Sequence, residues 1–121
     1  MTEAAVKKLA QEENSRFSAK DYAGAWDLYS KAGKAALSQD DYVRYNEACD
    51  TGGMPIEVKD VRMESDIKAT VRIGIGDIEV ANKVLYEEDK WRWQPRPDTM
   101  KSYATGVDQM IKDSKAAGSC G

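Results

Sequence analysis

Residues 42–75, YVRYNEACDTGGMPIEVKDVRMESDIKATVRIGI, change hydrophobic period at Gly52-Gly53. Ahead of that pair apolar side chains recur three or four positions apart, the spacing of a helix face. Behind it they alternate, the spacing of a strand. Ile67, Ala69, Val71, Ile73 and Ile75 alternate with Lys68, Thr70, Arg72 and Gly74, the cleanest strand pattern in the chain. Ile56 and Val58 share one parity while Val61 and Met63 take the other. A bulge near Lys59-Asp60 would return all four to one face and bend the sheet. Helices followed by a sheet predict an α+β domain.

Working outward toward the C-terminus, Gly76-Asp77 can turn the chain into Ile78, Val80, Asn82, Val84 and Tyr86, which share one face. Glu87 to Lys90 then form a charged hairpin loop, after which Trp91 and Trp93 point one way and Arg92 the other. Connections this short require an antiparallel meander, here of four strands, because parallel strands need long crossovers. Pro95-Arg96-Pro97 stops the sheet. Asp98 is expected to cap a last helix over 98–115, with an apolar stripe of Met100, Tyr103, Ala104, Val107, Met110 and Ile111. Residues 116–121 should fray unless Cys120 is held.

Toward the N-terminus three helices are expected. Thr2 caps the first, whose inner face reads Val6, Leu9, Ala10, Glu13 and Phe17, with the glutamate its one polar member. Asp21 caps a second that buries Tyr22, Ala25, Trp26, Tyr29, Ala32 and Ala36, with Gly24 and Gly33 leaving room for another element to approach. Ser38 caps a third with the face Tyr42, Tyr45 and Cys49, ended by Gly52-Gly53.

The 121 residues make one domain, 1–121, with no repeat or linker. A net charge of -3 with mixed signs offers no basic stripe for nucleic acid. No cluster of four Lys/Arg would draw the chain to an anionic membrane, and no apolar run could span a bilayer. The first residues open directly into the amphipathic pattern with no leader to be read. That fits either a cytoplasmic protein or an exported one without its leader. Cys49 and Cys120 lie 71 positions apart, and with no histidine in the chain they do not build a zinc site. If paired, they would add roughly 4 kcal/mol on a loop-entropy argument and imply an oxidising, extracytoplasmic setting. If reduced, one is a buried helical thiol and the other belongs to a frayed tail. Both states stay open.

Two segments carry a resemblance: Lys20-Asp21-Tyr22-Ala23-Gly24-Ala25-Trp26-Asp27-Leu28-Tyr29, and the hairpin Val84-Leu85-Tyr86-Glu87-Glu88-Asp89-Lys90-Trp91-Arg92-Trp93. With the strands between them they resemble the nuclear transport factor 2-like superfamily, also called the cystatin-like or ketosteroid-isomerase-like fold. They are most similar to its small bacterial envelope members, many of them lipoproteins. The resemblance covers a core of about residues 4–94. It implies a long N-terminal helix in the concave side of a curved four-stranded sheet, together forming a cone that holds a ligand. The 98–115 helix stands outside that core, as a cover for the cone or a support for a homodimer. A Cys49–Cys120 bridge is no part of what the family implies.

The candidate ligand-binding residues are Phe17, Trp26, Tyr29, Tyr45, Trp93 and Tyr103, an aromatic lining suited to a small, flat, largely apolar ligand. The plainer reading is that these rings fill the core. Glu13 is the candidate catalytic carboxylate because it interrupts an apolar helix face, with Asp27 and Asp60 behind it. Its plainer reading is a paired or hydrated carboxylate at the edge of that face. No histidine is present to titrate near neutrality. Gly74-Ile75-Gly76-Asp77 lacks the following helix that a phosphate loop requires. Cys49 has no histidine partner, and no serine stands in a nucleophile elbow. Arg72, Arg92 and Arg96 with aromatic neighbours could form a protein-binding face or a solvated one. The expected function is a non-enzymatic, extracytoplasmic domain that binds a small apolar ligand or a protein through the cone, without metal or cofactor. The alternatives are a histidine-free isomerase- or cyclase-like enzyme using Glu13, and a dimerisation or accessory module with a filled core.

Overall fold

A computed structural model describes residues 2–120. Its architecture is α+β: four helices, a four-stranded antiparallel sheet, then two helices. The first helix, α1 (Glu3–Ser18), starts where the Thr2 hydroxyl accepts the Ala5 amide at 3.2 Å. It buries Val6, Leu9, Ala10 and Glu13 of the expected face and also Asn14, while Phe17 is half-buried. That face lies across strands β1 (Glu57–Ser65), β2 (Lys68–Ile75) and β4 (Lys90–Gln94).

The second expected helix is two. Helix α2 (Tyr22–Asp27) and helix α3 (Lys31–Ala36) are separated by Leu28-Tyr29-Ser30. This segment pairs with the free edge of β4. Trp93 donates to the Leu28 carbonyl at 2.8 Å, and Ser30 donates to the Trp93 carbonyl at 2.9 Å. An unpaired sheet edge competes here with helix continuation and wins. Ser30 then caps α3. Gly33 is required by packing, since a Cβ there would lie 2.9 Å from Cδ of Pro95. Gly24 instead faces its own cap, Asp21.

Helix α4 (Gln39–Cys49) begins at the Ser38 cap and ends at Asp50, in the left-handed region at φ 48°, two residues before the expected stop at Gly52-Gly53. Gly52 serves packing: a Cβ there would come within 2.4 Å of the Phe17 carbonyl oxygen.

The strands run in spatial order β1-β2-β3-β4, with β3 at Ile78–Glu87. The register of β1 on β2 slips between Val58 and Asp60, as the parity of that segment predicts, and again between Met63 and Ser65. Ile67 falls outside β2, in the turn before it, and is 60% exposed. Glu87 pairs with Lys90, so Glu88-Asp89 form a two-residue turn with both φ values positive, 50° and 66°. The outer sheet face is charged and internally paired: Arg72 lies 3.6 Å from both Asp60 and Glu79, and Lys83 lies 2.7 Å from Glu64.

After Pro95 the last expected helix is also two, α5 (Pro97–Tyr103) and α6 (Val107–Ala116). Gly106, at φ 91°, makes the corner between them, in a conformation that a side chain would oppose. Asp98 lies inside the first turn of α5, where it accepts the Thr99 amide, and the cap position belongs to Arg96. Cys49 and Cys120 form a disulfide that holds the end of the chain to α4. Of the segment expected to fray, Gly121 lies outside the described residues. No described helix is long and apolar enough to cross a membrane.

Candidate functional site

A pocket of about 330 Å³ opens between α1, α4, the inner sheet face and the C-terminal helices. From α1 it receives the buried Glu13 and Asn14 and the half-buried Phe17. From α4 it receives Tyr42, Tyr45 and Asn46. The sheet contributes Ile73, Ile75, Val80, Asn82 and Trp93, the inward parity of three strands. Tyr29 enters from the segment pinned to β4. Arg96, Thr99, Ser102, Tyr103 and Met110 close the side formed by the last two helices.

Five of the six expected aromatics therefore meet around one space: Phe17, Tyr29, Tyr45, Trp93 and Tyr103. Trp26 does not. The break at Tyr29 ends its helix, and its indole donates to the Leu37 carbonyl at 2.9 Å while the Lys34 ammonium lies 5.1 Å from the ring centre. The three arginines considered as one binding face are dispersed. Arg72 is tied to carboxylates on the outer face, Arg92 donates to the Asp27 carbonyl, and Arg96 lines the pocket.

Glu13 is 3% exposed, and its Oε2 has no hydrogen-bond partner. Burial without a compensating charge raises its carboxyl from 4.5 to about 8, so at neutral pH it is mostly the neutral acid. The hydroxyls of Tyr29 and Tyr42 are 2.8 Å apart, and their rings meet edge to face at 5.3 Å. Burial pushes the phenols of Tyr29, Tyr42 and Tyr103 up, and the nearby Glu13 carboxyl adds to the effect in each. Tyr45 shares a 2.7 Å hydrogen bond with Ser114 of α6.

The sequence pattern picks out Glu13 and Tyr45 but not the rest of the polar lining. Tyr42 was placed on the α4 face but not in the site. Asn82 was placed on the inward parity of β3, and a buried asparagine there was the available signal. Each of the three asparagines uses its amide nitrogen on a backbone carbonyl. Asn14 donates to Ala10 at 2.7 Å, Asn46 to Tyr42 at 2.8 Å and Asn82 to Gln94 at 3.0 Å. Asp27 and Asp60, the lesser carboxylate candidates, lie outside the pocket. Among the described residues no cluster of His, Cys, Asp or Glu could hold a metal ion.

No protein-family model matches the chain, and no curated protein matches it in sequence. Among solved structures it is similar to the solution structure of a SEC-C motif containing protein from Rhodopseudomonas palustris, with a TM-score of 0.55 and 13% identity. The match covers 78% of this chain and 79% of that one. At this identity the likeness is one of fold alone.

Proposed function

We propose that this chain is a non-enzymatic binding domain that takes a small, ring-bearing ligand into the pocket between α1 and the sheet. The observation that supports the reading most is the space itself: five aromatic side chains surround about 330 Å³ rather than filling it. That volume is at the small end of ligand sites. An N-terminal helix lying across an antiparallel sheet over such a space also agrees with kinship to nuclear transport factor 2-like domains, which we include in the proposal. The experiment is chemical-shift mapping with a library of ring-bearing fragments. Binders should shift resonances of Phe17, Tyr29, Tyr45, Trp93 and Tyr103 together. Shifts confined to the outer sheet face would overturn the reading.

A second reading is favoured by one observation, the Glu13 carboxyl raised to about 8, near the value suited to a general acid or base. It makes the domain an isomerase- or cyclase-like enzyme. Deuterium incorporation from solvent into a bound carbonyl compound, lost in Glu13→Gln, would favour it over simple binding.

We also place the domain in an oxidising, extracytoplasmic compartment, on the support of the Cys49–Cys120 bridge. Alkylation of cells before lysis tests this. Protected cysteines agree with it, and two alkylated thiols would return the chain to a reducing compartment.

A further inference from the structure

The pocket's lining includes one buried carboxyl oxygen that makes no hydrogen bond. Glu13 Oε2 is buried without a partner, and a buried polar atom left unpaired is destabilising. No neighbouring donor reaches it, although several stand around the pocket. From α1, α4 and β3, the Asn14, Asn46 and Asn82 amide nitrogens all donate to backbone carbonyls. The Tyr29 and Tyr42 hydroxyls bond to each other, and the Tyr45 hydroxyl bonds to Ser114. Tyr103 faces the site from α5. Among the described residues Arg96, also on that side, is the only cation lining the pocket, and it forms no ion pair with Glu13. A ligand that brings its own N–H groups can serve this oxygen directly. The aromatic walls set its further character, because ring faces carry partial negative charge and attract cations.

We propose that the pocket binds a small organic cation, a primary or secondary amine on a single ring, whose ammonium donates to Glu13 and rests against the tyrosine rings. This names the ligand class of the binding domain proposed above and rests on that reading. A ligand bringing a neutral acceptor would find Glu13 as its donor but would leave the remaining oxygens unserved. An ammonium serves several at once and restores charge balance to the ionised carboxylate. Arg96 limits the site to ligands with one positive charge.

The test is calorimetry of benzylamine and of its neutral counterpart benzyl alcohol at pH 7, in buffers of different ionisation heat. Benzylamine should bind at least about ten-fold tighter and release about one proton per site, because the carboxyl that is protonated in the free protein ionises in the complex. The Glu13→Gln variant, which keeps size and neutrality, should retain the wild-type near-ultraviolet circular dichroism, lose the preference and release no proton. Benzyl alcohol binding as tightly as benzylamine, or benzylamine binding without proton release, would overturn the cation proposal while leaving a ligand pocket in place. A preference for benzylamine that survives in Glu13→Gln would overturn it likewise. If neither compound binds and fragment mapping finds no other occupant, both the cation and the pocket reading fail.

Discussion

Glu13 occupies a position of α1 whose periodicity calls for an apolar side chain, and it is the residue that most shapes the chemistry of the interior. Its ordinary value of 4.5 rises to about 8 on folding, so between those limits the folded chain keeps a proton that the unfolded chain has lost. Stability is then greatest below about 4.5 and declines as pH rises through 8. The span corresponds to a loss on the order of 5 kcal/mol. Glu13→Gln removes this titration. Urea unfolding at pH 5, 7 and 9 should find the two proteins similar at pH 5 and the variant increasingly more stable above it. A constant difference across the three pH values would mean that Glu13 is hydrated or paired in solution. The tyrosine pair makes a second prediction at this scale. Tyr29→Phe and Tyr42→Phe each strand one buried hydroxyl and should cost about 1–2 kcal/mol, while the double variant should cost less than their sum. Strict additivity would show that the 2.8 Å bond contributes no coupling. Glu13 was legible in the sequence as an interruption of pattern. What it faces was not, because the donors around it come from α4, β3 and α5.

At the scale of elements, the strands were legible because their alternation is written in consecutive residues, bulge included. The helices were legible in position but not in continuity. The periodicity of residues 22–36 carries no mark at Tyr29, since the competitor for that backbone is the β4 edge, more than sixty positions away in sequence. Trp26 was misplaced for the same reason: its role depended on an unbroken helix. The break between α5 and α6 had a local signal, Gly106, standing in an otherwise amphipathic stripe. Gly52 shows how a correct boundary can have a different cause. It marks the change of period, yet α4 ends at Asp50, and Gly52 matters because the Phe17 carbonyl and the Tyr22 hydroxyl crowd its Cα. Gly52→Ala would place a Cβ 2.4 Å from that carbonyl, and backbone cannot yield as a side-chain tip does. A loss of about 2 kcal/mol is expected in chemical unfolding, in the range of strain from overpacking. A neutral result would assign Gly52 to the turn alone.

For the whole molecule, the pocket depends on a wall that the α+β core does not itself supply. Helix α6 has 10 residues, below the length at which a helix holds by itself in water, so its order comes from α4. The ties are the Tyr45–Ser114 hydrogen bond, the exposed Arg44–Asp108 pair and the Cys49–Cys120 bridge. An exposed ion pair contributes little, so the bridge acts beside the Tyr45–Ser114 bond and the buried Val107 and Met110 in keeping α6 against the site. The sequence could place the two cysteines but not their distance in space, so the bridge became visible only once α6 turned back along α4. Cys120→Ser should lower global stability by about 2–4 kcal/mol. It should also speed amide exchange across residues 107–116 well before the sheet responds, and weaken binding of any pocket ligand in proportion to the time α6 spends away. Reduction of the native protein should reproduce all three effects. Exchange that stays slow in α6 while global stability falls would show that the bridge acts on the unfolded chain alone and that packing on α4 suffices to hold the wall.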